Sequence, residues 1–196
     1  MDKTFDWPAF STANRHRSES PQGFNHPLAS WSHADWCVAV IGEVGEAANV
    51  LKKLNRVRDG ITGNDRTPRE LHEDFADEIA DAFIYLDLLA QALGSSASHC
   101  FAEQARRQES LMISTLSDDP NTLMLGLTWA AGGIAWGIAR SEDNVSPPPG
   151  VFIGIALVYL ESLAARFDID LGAAVISKFM RTSAKIGYEA PEGGGA

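Results

Sequence analysis

An all-α helical bundle is the fold class this sequence predicts. No window of the 196 residues alternates apolar and polar positions with the period of a strand, and seven segments carry helix start or stop signals. Asp6-Trp7-Pro8 opens a short helix running to about Arg17, and residues 18–31, rich in Ser, Pro and Gly, read as an ordered loop. Ser32 and Asp35 have the spacing of a capping box and start a helix that stops near Arg58, before Asp59-Gly60. Thr67-Pro68-Arg69-Glu70 is a stronger start, with a Thr cap, Pro at the first helical position and Glu at the third. That helix continues to Leu93 and ends at Gly94. A fourth helix fits 97–115, and Asp119-Pro120 opens a fifth that fades by Arg140–Asn144. Pro147-Pro148-Pro149-Gly150 is a hard break before a sixth over 151–167. Asp170 caps the last, which ends at Ile186-Gly187.

Composition narrows the function. With 45% hydrophobic and 21% charged residues, the chain can bury a sizeable core in one domain, 1–196. Its formal charge of −10 repels phosphate backbones at long range, which argues against nucleic acid as the main partner. Two cysteines give neither a four-sulfur zinc site nor a disulfide framework, and the first residues lack the layout of a signal peptide; both fit a cytoplasmic protein. Residues 120–139 carry no charge and are long enough to span a bilayer. Their four glycines, Asn121 and two threonines, with no basic flank, favour a buried core helix over a membrane span.

An internal repeat is expected in the second half. Phe83 to Ala90 (FIYLDLLA) aligns with Leu157 to Ala164 (LVYLESLA), and Gly42 to Glu46 aligns more weakly with Gly132 to Trp136. In that alignment Glu43 and Glu46 become Gly133 and Trp136, while Glu78 and Asp81 become Phe152 and Ile155. One half would then carry chemistry and the other would pack against it.

The acids are the informative residues. Glu43 and Glu46 share one helix face, next to the apolar run Trp36 to Ile41. On the following helix Asp74, Glu78, Asp81 and Tyr85 fall within about 60° of one another, with Asp77 at the edge of the stripe. Acids beside apolar segments are costly to bury unless something compensates them. Carboxylates without His or Cys form a hard oxygen site suited to Mg²⁺ or Mn²⁺, the other reading being a solvated acidic face. No histidine has Glu three residues before it, which disfavours a di-iron bundle, and most of the five histidines are expected at the surface. Basic residues gather at Lys52 to Arg58 and, at spacings of three and four, at Lys178, Arg181 and Lys185. Lys53 lies about 20° around the helix from Glu46 and two turns on.

Glu43-Val44-Gly45-Glu46 followed by Glu78-Ile79-Ala80-Asp81, with Asn49 to Leu54 and the segment Asp170-Leu171 through Lys178-Phe179 to Gly187, resembles the MazG-like all-α nucleoside triphosphate pyrophosphohydrolases. The resemblance covers residues 31–94, an active half, and 168–188, a terminal helix; 95–167 is an insertion holding the degenerate repeat. That layout resembles the duplicated arrangement of dimeric dUTPases and implies a homodimer. The resemblance implies Mg²⁺, with Mn²⁺ as substitute, on Glu43, Glu46, Glu78 and Asp81, with Glu43 or Glu46 as general base. It implies phosphate contacts at Lys53, Lys178, Arg181 and Lys185, and a nucleotide contact at Tyr85. Trp31 and Asn25, near Phe24, His33 and Trp36, are candidates to stack on and read a base. The implied substrate is a nucleoside triphosphate, a deoxynucleotide first, hydrolysed to monophosphate and pyrophosphate, with no nucleic-acid or membrane partner. The alternatives are a catalytically silent helical binding or scaffold protein and a phosphoribosyl-ATP pyrophosphohydrolase.

Overall fold

The computed structural model describes residues 5–111, 118–140 and 147–189, and among them every regular element is helical. The elements are α1 (Trp7–Glu19), a single 3₁₀ turn (Leu28–Ser30), α2 (His33–Arg58), α3 (Pro68–Ala92), α4 (Ala97–Leu111), α5 (Pro120–Ala139), α6 (Pro149–Arg166) and α7 (Leu171–Ile186). Both capping boxes form: Ser32 and Asp35 exchange hydrogen bonds at the start of α2, as do Thr67 and Glu70 at the start of α3. Asp6, Asp119 and Asp170 cap α1, α5 and α7, and Gly187 closes α7 in the left-handed conformation. The predicted extension of α4 to residue 115 and the fading of α5 over 141–144 lie outside the described residues.

Two helical hairpins, α2–α3 and α5–α6, form the central bundle. α2 lies against α5, and α3 against α6. The amide of Asn55 donates to the side-chain oxygen of Asn121 (2.6 Å), joining the end of α2 to the start of α5 and setting them antiparallel. α1 and α7 pack on α3, while α4 packs chiefly on α6. α3 is therefore the most enclosed element. Its sequence accounts for this: beyond Asp81, Ala82, Phe83, Ile84, Leu86, Leu88, Leu89 and Ala90 are all buried, too wide an apolar arc to cover with one neighbour.

Two polar contacts bind α1 into this frame. The carboxylate of Asp87 is fully buried and accepts from Ser11 Oγ (2.5 Å), Asn14 Nδ2 (3.0 Å) and Gln91 Nε2 (2.9 Å). Burial still raises its pKa against those bonds. Arg17 is also buried; it donates to the backbone oxygen of Phe179 (2.9 Å) and lies 3.8 Å over the Phe179 ring, linking α1 to α7.

α5 and α6 are each long and apolar enough to cross a membrane by length and composition, with 39% and 44% of the qualifying windows buried. Their buried sides meet each other closely. The ring of Phe152 on α6 occupies the space where a side chain on Gly133 would begin, and Tyr159 does the same over Gly126. Gly133 and Phe152 are the positions aligned above with Glu43 and Glu78.

Candidate metal centre and adjoining cavity

Glu43 and Glu46 project from α2 and Glu78 from α3, and one oxygen of each lies within 4.8 Å of the others. The i, i+3 spacing puts the first two on one side of α2, and the pairing of α2 with α3 brings Glu78 to them. Glu46 is exposed while Glu43 and Glu78 are half-buried. Burial, then the neighbouring carboxylates, pushes the Glu43 carboxyl up to about 7; Glu78 also rises to about 7, through burial, the Glu46 charge and a hydrogen bond with Glu46. Such a set holds protons near neutral pH or gains from a cation.

Asp81, one turn after Glu78, is paired differently. Its carboxylate meets the Lys178 ammonium at 2.6 Å, and the same ammonium lies 3.9 Å from Asp77. Burial raises the Asp81 pKa in spite of Lys178. Arg181, one turn along α7, is bound to Asp77 and Ser177. These pairs run antiparallel, so Lys185 lies beyond Asp77, toward the start of α3. Asp74, on the same α3 stripe, is paired with Arg66 (2.6 Å).

A cavity of about 550 Å³ opens beside this cluster. Glu43, Asp81, Lys178 and Thr182 form its polar wall. Phe24, His26, Trp31, Trp36 and Tyr85 form an aromatic one. His26 stacks on Trp36 with ring centroids 5.1 Å apart and meets Trp31 edge-on at 4.5 Å. Trp36 is 1% exposed and anchored by its indole N–H on the Leu28 carbonyl (3.0 Å), so it is both core and cavity wall. Trp31 is 40% exposed and its ring packs edge-on against His26 and Trp36. Trp36 and Glu43 are two turns apart on one face of α2, about 10 Å, which sets the separation of the aromatic and acidic ends.

No family model, curated protein or solved structure matches this chain. Its function is therefore read from these residues. Of the positions singled out in the sequence, Glu43, Asp81, Tyr85, Trp31 and Lys178 line the cavity, and Glu46 and Glu78 adjoin it through the carboxylate cluster. Lys53, Lys185, Arg181 and Asn25 do not line it. Lys53 is two turns past Glu46 along α2; Asn25 is an exposed turn residue with φ of 48° whose amide bonds the Ser20 carbonyl. Two titratable lining groups were not singled out in the sequence. Arg17 entered only as the end of a helix; it is 3% exposed, and burial lowers its pKa to about 10. His26 is half-buried between two tryptophans; His72 is also half-buried, and His16, His33 and His99 are exposed, as expected for most of the five.

Proposed function

We propose that the chain is a Mg²⁺-dependent nucleoside triphosphate pyrophosphohydrolase of the MazG-like all-α type, cleaving the α–β phosphoanhydride to give a nucleoside monophosphate and pyrophosphate. The observation that carries this reading is the convergence of three carboxylates from two helices beside a cavity with one aromatic wall and one polar wall that includes the Lys178 ammonium. A planar base fits the first wall and phosphates the second.

The donor set fits the ion. Glu43, Glu46 and Glu78 offer only oxygen, and their raised pKa values express a clustered negative charge that a hard divalent cation relieves. Asp81 joins the set once Lys178 moves to another anion. Bound Mg²⁺, or Mn²⁺ in its place, neutralises triphosphate charge and makes a coordinated water more acidic. The chain's own groups do the rest. Glu43 or Glu46 accepts the proton of the water that attacks the α-phosphorus. Lys178, released from Asp81, has three N–H donors to offer phosphate oxygens. Trp31 and His26, packed edge-on against each other, offer ring surface on which a base stacks, and Tyr85 lies between them and the acids. A deoxynucleotide, a cytoplasmic setting and a homodimer complete the reading.

The test is a panel of deoxynucleoside and ribonucleoside triphosphates with Mg²⁺, the products separated as monophosphate and pyrophosphate. Cleavage abolished by EDTA and restored by Mg²⁺ supports the reading. Activity persisting in excess EDTA, or no cleavage of any triphosphate, sinks it.

A further inference from the structure

Arg17 is the only cation that is fully buried among the described residues, at 3% exposed, and it lines the cavity. A buried guanidinium is ordinarily paired with a carboxylate. Arg17 donates instead to three neutral oxygens, the Phe179 carbonyl (2.9 Å), Ser183 Oγ (3.4 Å) and Asn14 Oδ1 (3.5 Å). Of the five N–H groups on a guanidinium, these three bonds leave two unmet. One of the two is the Nε–H, which is screened from solvent as well. An unmet donor on an unpaired buried charge is costly unless a ligand meets it.

The side chain is held in place from several directions. Asn14 gives its amide N–H to the buried Asp87 carboxylate (3.0 Å), which turns the Asn14 oxygen toward Arg17. The Phe179 ring lies 3.8 Å from the guanidinium and the Phe24 ring 5.5 Å. A group fixed in this way loses little freedom when a ligand binds.

We propose that Arg17 is the seat of the α-phosphate, the phosphoryl group that stays on the nucleoside when pyrophosphate leaves. This rests on the pyrophosphohydrolase reading and adds to it a phosphate contact from α1. Position favours the α-phosphate over the β and γ groups, because Arg17 stands where the two walls of the cavity meet. On the aromatic side, the Phe24 amide donates to the Arg17 carbonyl (2.9 Å), and Ser18 Oγ donates to the carbonyl of His26 (2.9 Å). On the polar side, its α7 partners Phe179 and Ser183 each directly follow a cavity-lining residue, Lys178 and Thr182. Burial raises the pKa of Asp81 and Tyr85, and the Arg17 charge opposes the rise at both, so its field reaches the acids. The α-phosphate is the group that joins a stacked base to the metal ligands. A base carbonyl is the other oxygen the cavity could bring to Arg17, but a neutral oxygen would leave the buried charge unpaired.

The test compares Arg17→Met, which removes the charge, with Arg17→Lys, which keeps it. Arg17→Met should raise KM for every triphosphate roughly tenfold or more, with Arg17→Lys between it and the wild type. Inhibition by the nucleoside monophosphate product should weaken in parallel, while inhibition by pyrophosphate stays within about twofold. Unchanged KM in both variants overturns the proposal, as does a loss confined to one base or a loss of pyrophosphate inhibition in place of monophosphate inhibition. Because Arg17 also links α1 to α7, the ¹⁵N-labelled wild-type chain supplies a measurement that needs no variant. Its Arg17 Nε–H resonance should shift on saturation with Mg²⁺ and the uncleavable α,β-methylene analogue of the best substrate, and an unmoved signal overturns the seat. A wild-type chain that cleaves no triphosphate overturns the pyrophosphohydrolase reading and the seat together; cleavage with an indifferent Arg17 overturns the seat alone.

Discussion

Glu46 and Asp81 differ in what they lose on substitution. Glu46 is exposed, and its charge mainly raises the pKa of Glu78 and Glu43. Glu46→Gln removes one oxygen ligand and one repulsion together, so turnover should disappear while the metal-free chain melts at the same or a higher temperature. Asp81→Asn also ends turnover, but it leaves Lys178 half-buried with its nearest partner neutralised, so its metal-free Tm should fall. Circular dichroism melts in EDTA, with turnover measured in Mg²⁺, separate the two; equal Tm shifts of one sign would contradict the account. Much at this scale could be read from the chain itself. The i, i+3 acids on two capped helices can meet only across the α2–α3 contact. Arg17 could not, because what buries it is remote in sequence: Phe179 closes over it from 162 residues away. No local periodicity records such a contact.

At the scale of elements, α7 shows why a basic stripe overstates a site. Lys178, Arg181 and Lys185 share one side of the helix, but only Lys178 of the three lines the cavity; Arg181 is turned to Asp77, and Lys185 lies two turns beyond Lys178. Lys178→Ala should raise KM for every triphosphate by roughly 10- to 100-fold, the value of one charge-assisted bond of about 1.5–3 kcal/mol. Lys185→Ala should leave KM within about twofold by the same reasoning. Steady-state kinetics with two different bases checks both, since phosphate contacts carry no base preference. The α5–α6 contact makes another prediction. A Cβ at Gly133 would begin 2.3 Å from the Phe152 ring, so Gly133→Ala should cost about 1–3 kcal/mol in denaturant unfolding. Gly133→Ala combined with Phe152→Leu should recover part of that loss. The glycine was plain in the sequence; the ring that requires it became visible only with the register of the two helices.

For the molecule as a whole, the carboxylate cluster couples stability to pH. Glu43 and Glu78 titrate near 7 in the folded chain and at the ordinary value of 4.5 when unfolded. A carboxyl whose folded pKa is raised stabilises the fold fully below the unfolded value and loses that contribution as pH climbs through the folded one. The metal-free protein should therefore lose stability between about pH 4.5 and pH 7–8. Mg²⁺ should restore it most strongly at the upper end, where it competes with fewer protons. Thermal melts across that range, with EDTA and with Mg²⁺, check the sign; a metal-free Tm rising over the interval would contradict the cluster's geometry. The bundle itself was legible because caps, glycine stops and the triple proline mark nearly every boundary. The exposure of Leu125, Trp129 and Trp136 on α5 was not, because the lack of charge over 120–139 favours a buried core helix and does not mark which side of it stays open.

Part of the cavity's aromatic wall stands on a different kind of structure from the acids. The acids stand on α2 and α3, and α3 is the element that most of the others enclose. Phe24, His26 and Trp31 stand on the connection between α1 and α2, which holds only a single 3₁₀ turn. Irregular segments tolerate exchange and insertion far better than packed helices. Residues 20–31 can therefore vary over generations, trading one ring or polar edge for another, while the carboxylates keep their spacing. Under the proposed function, the grip on a base and the chemistry at the phosphates are separately inheritable.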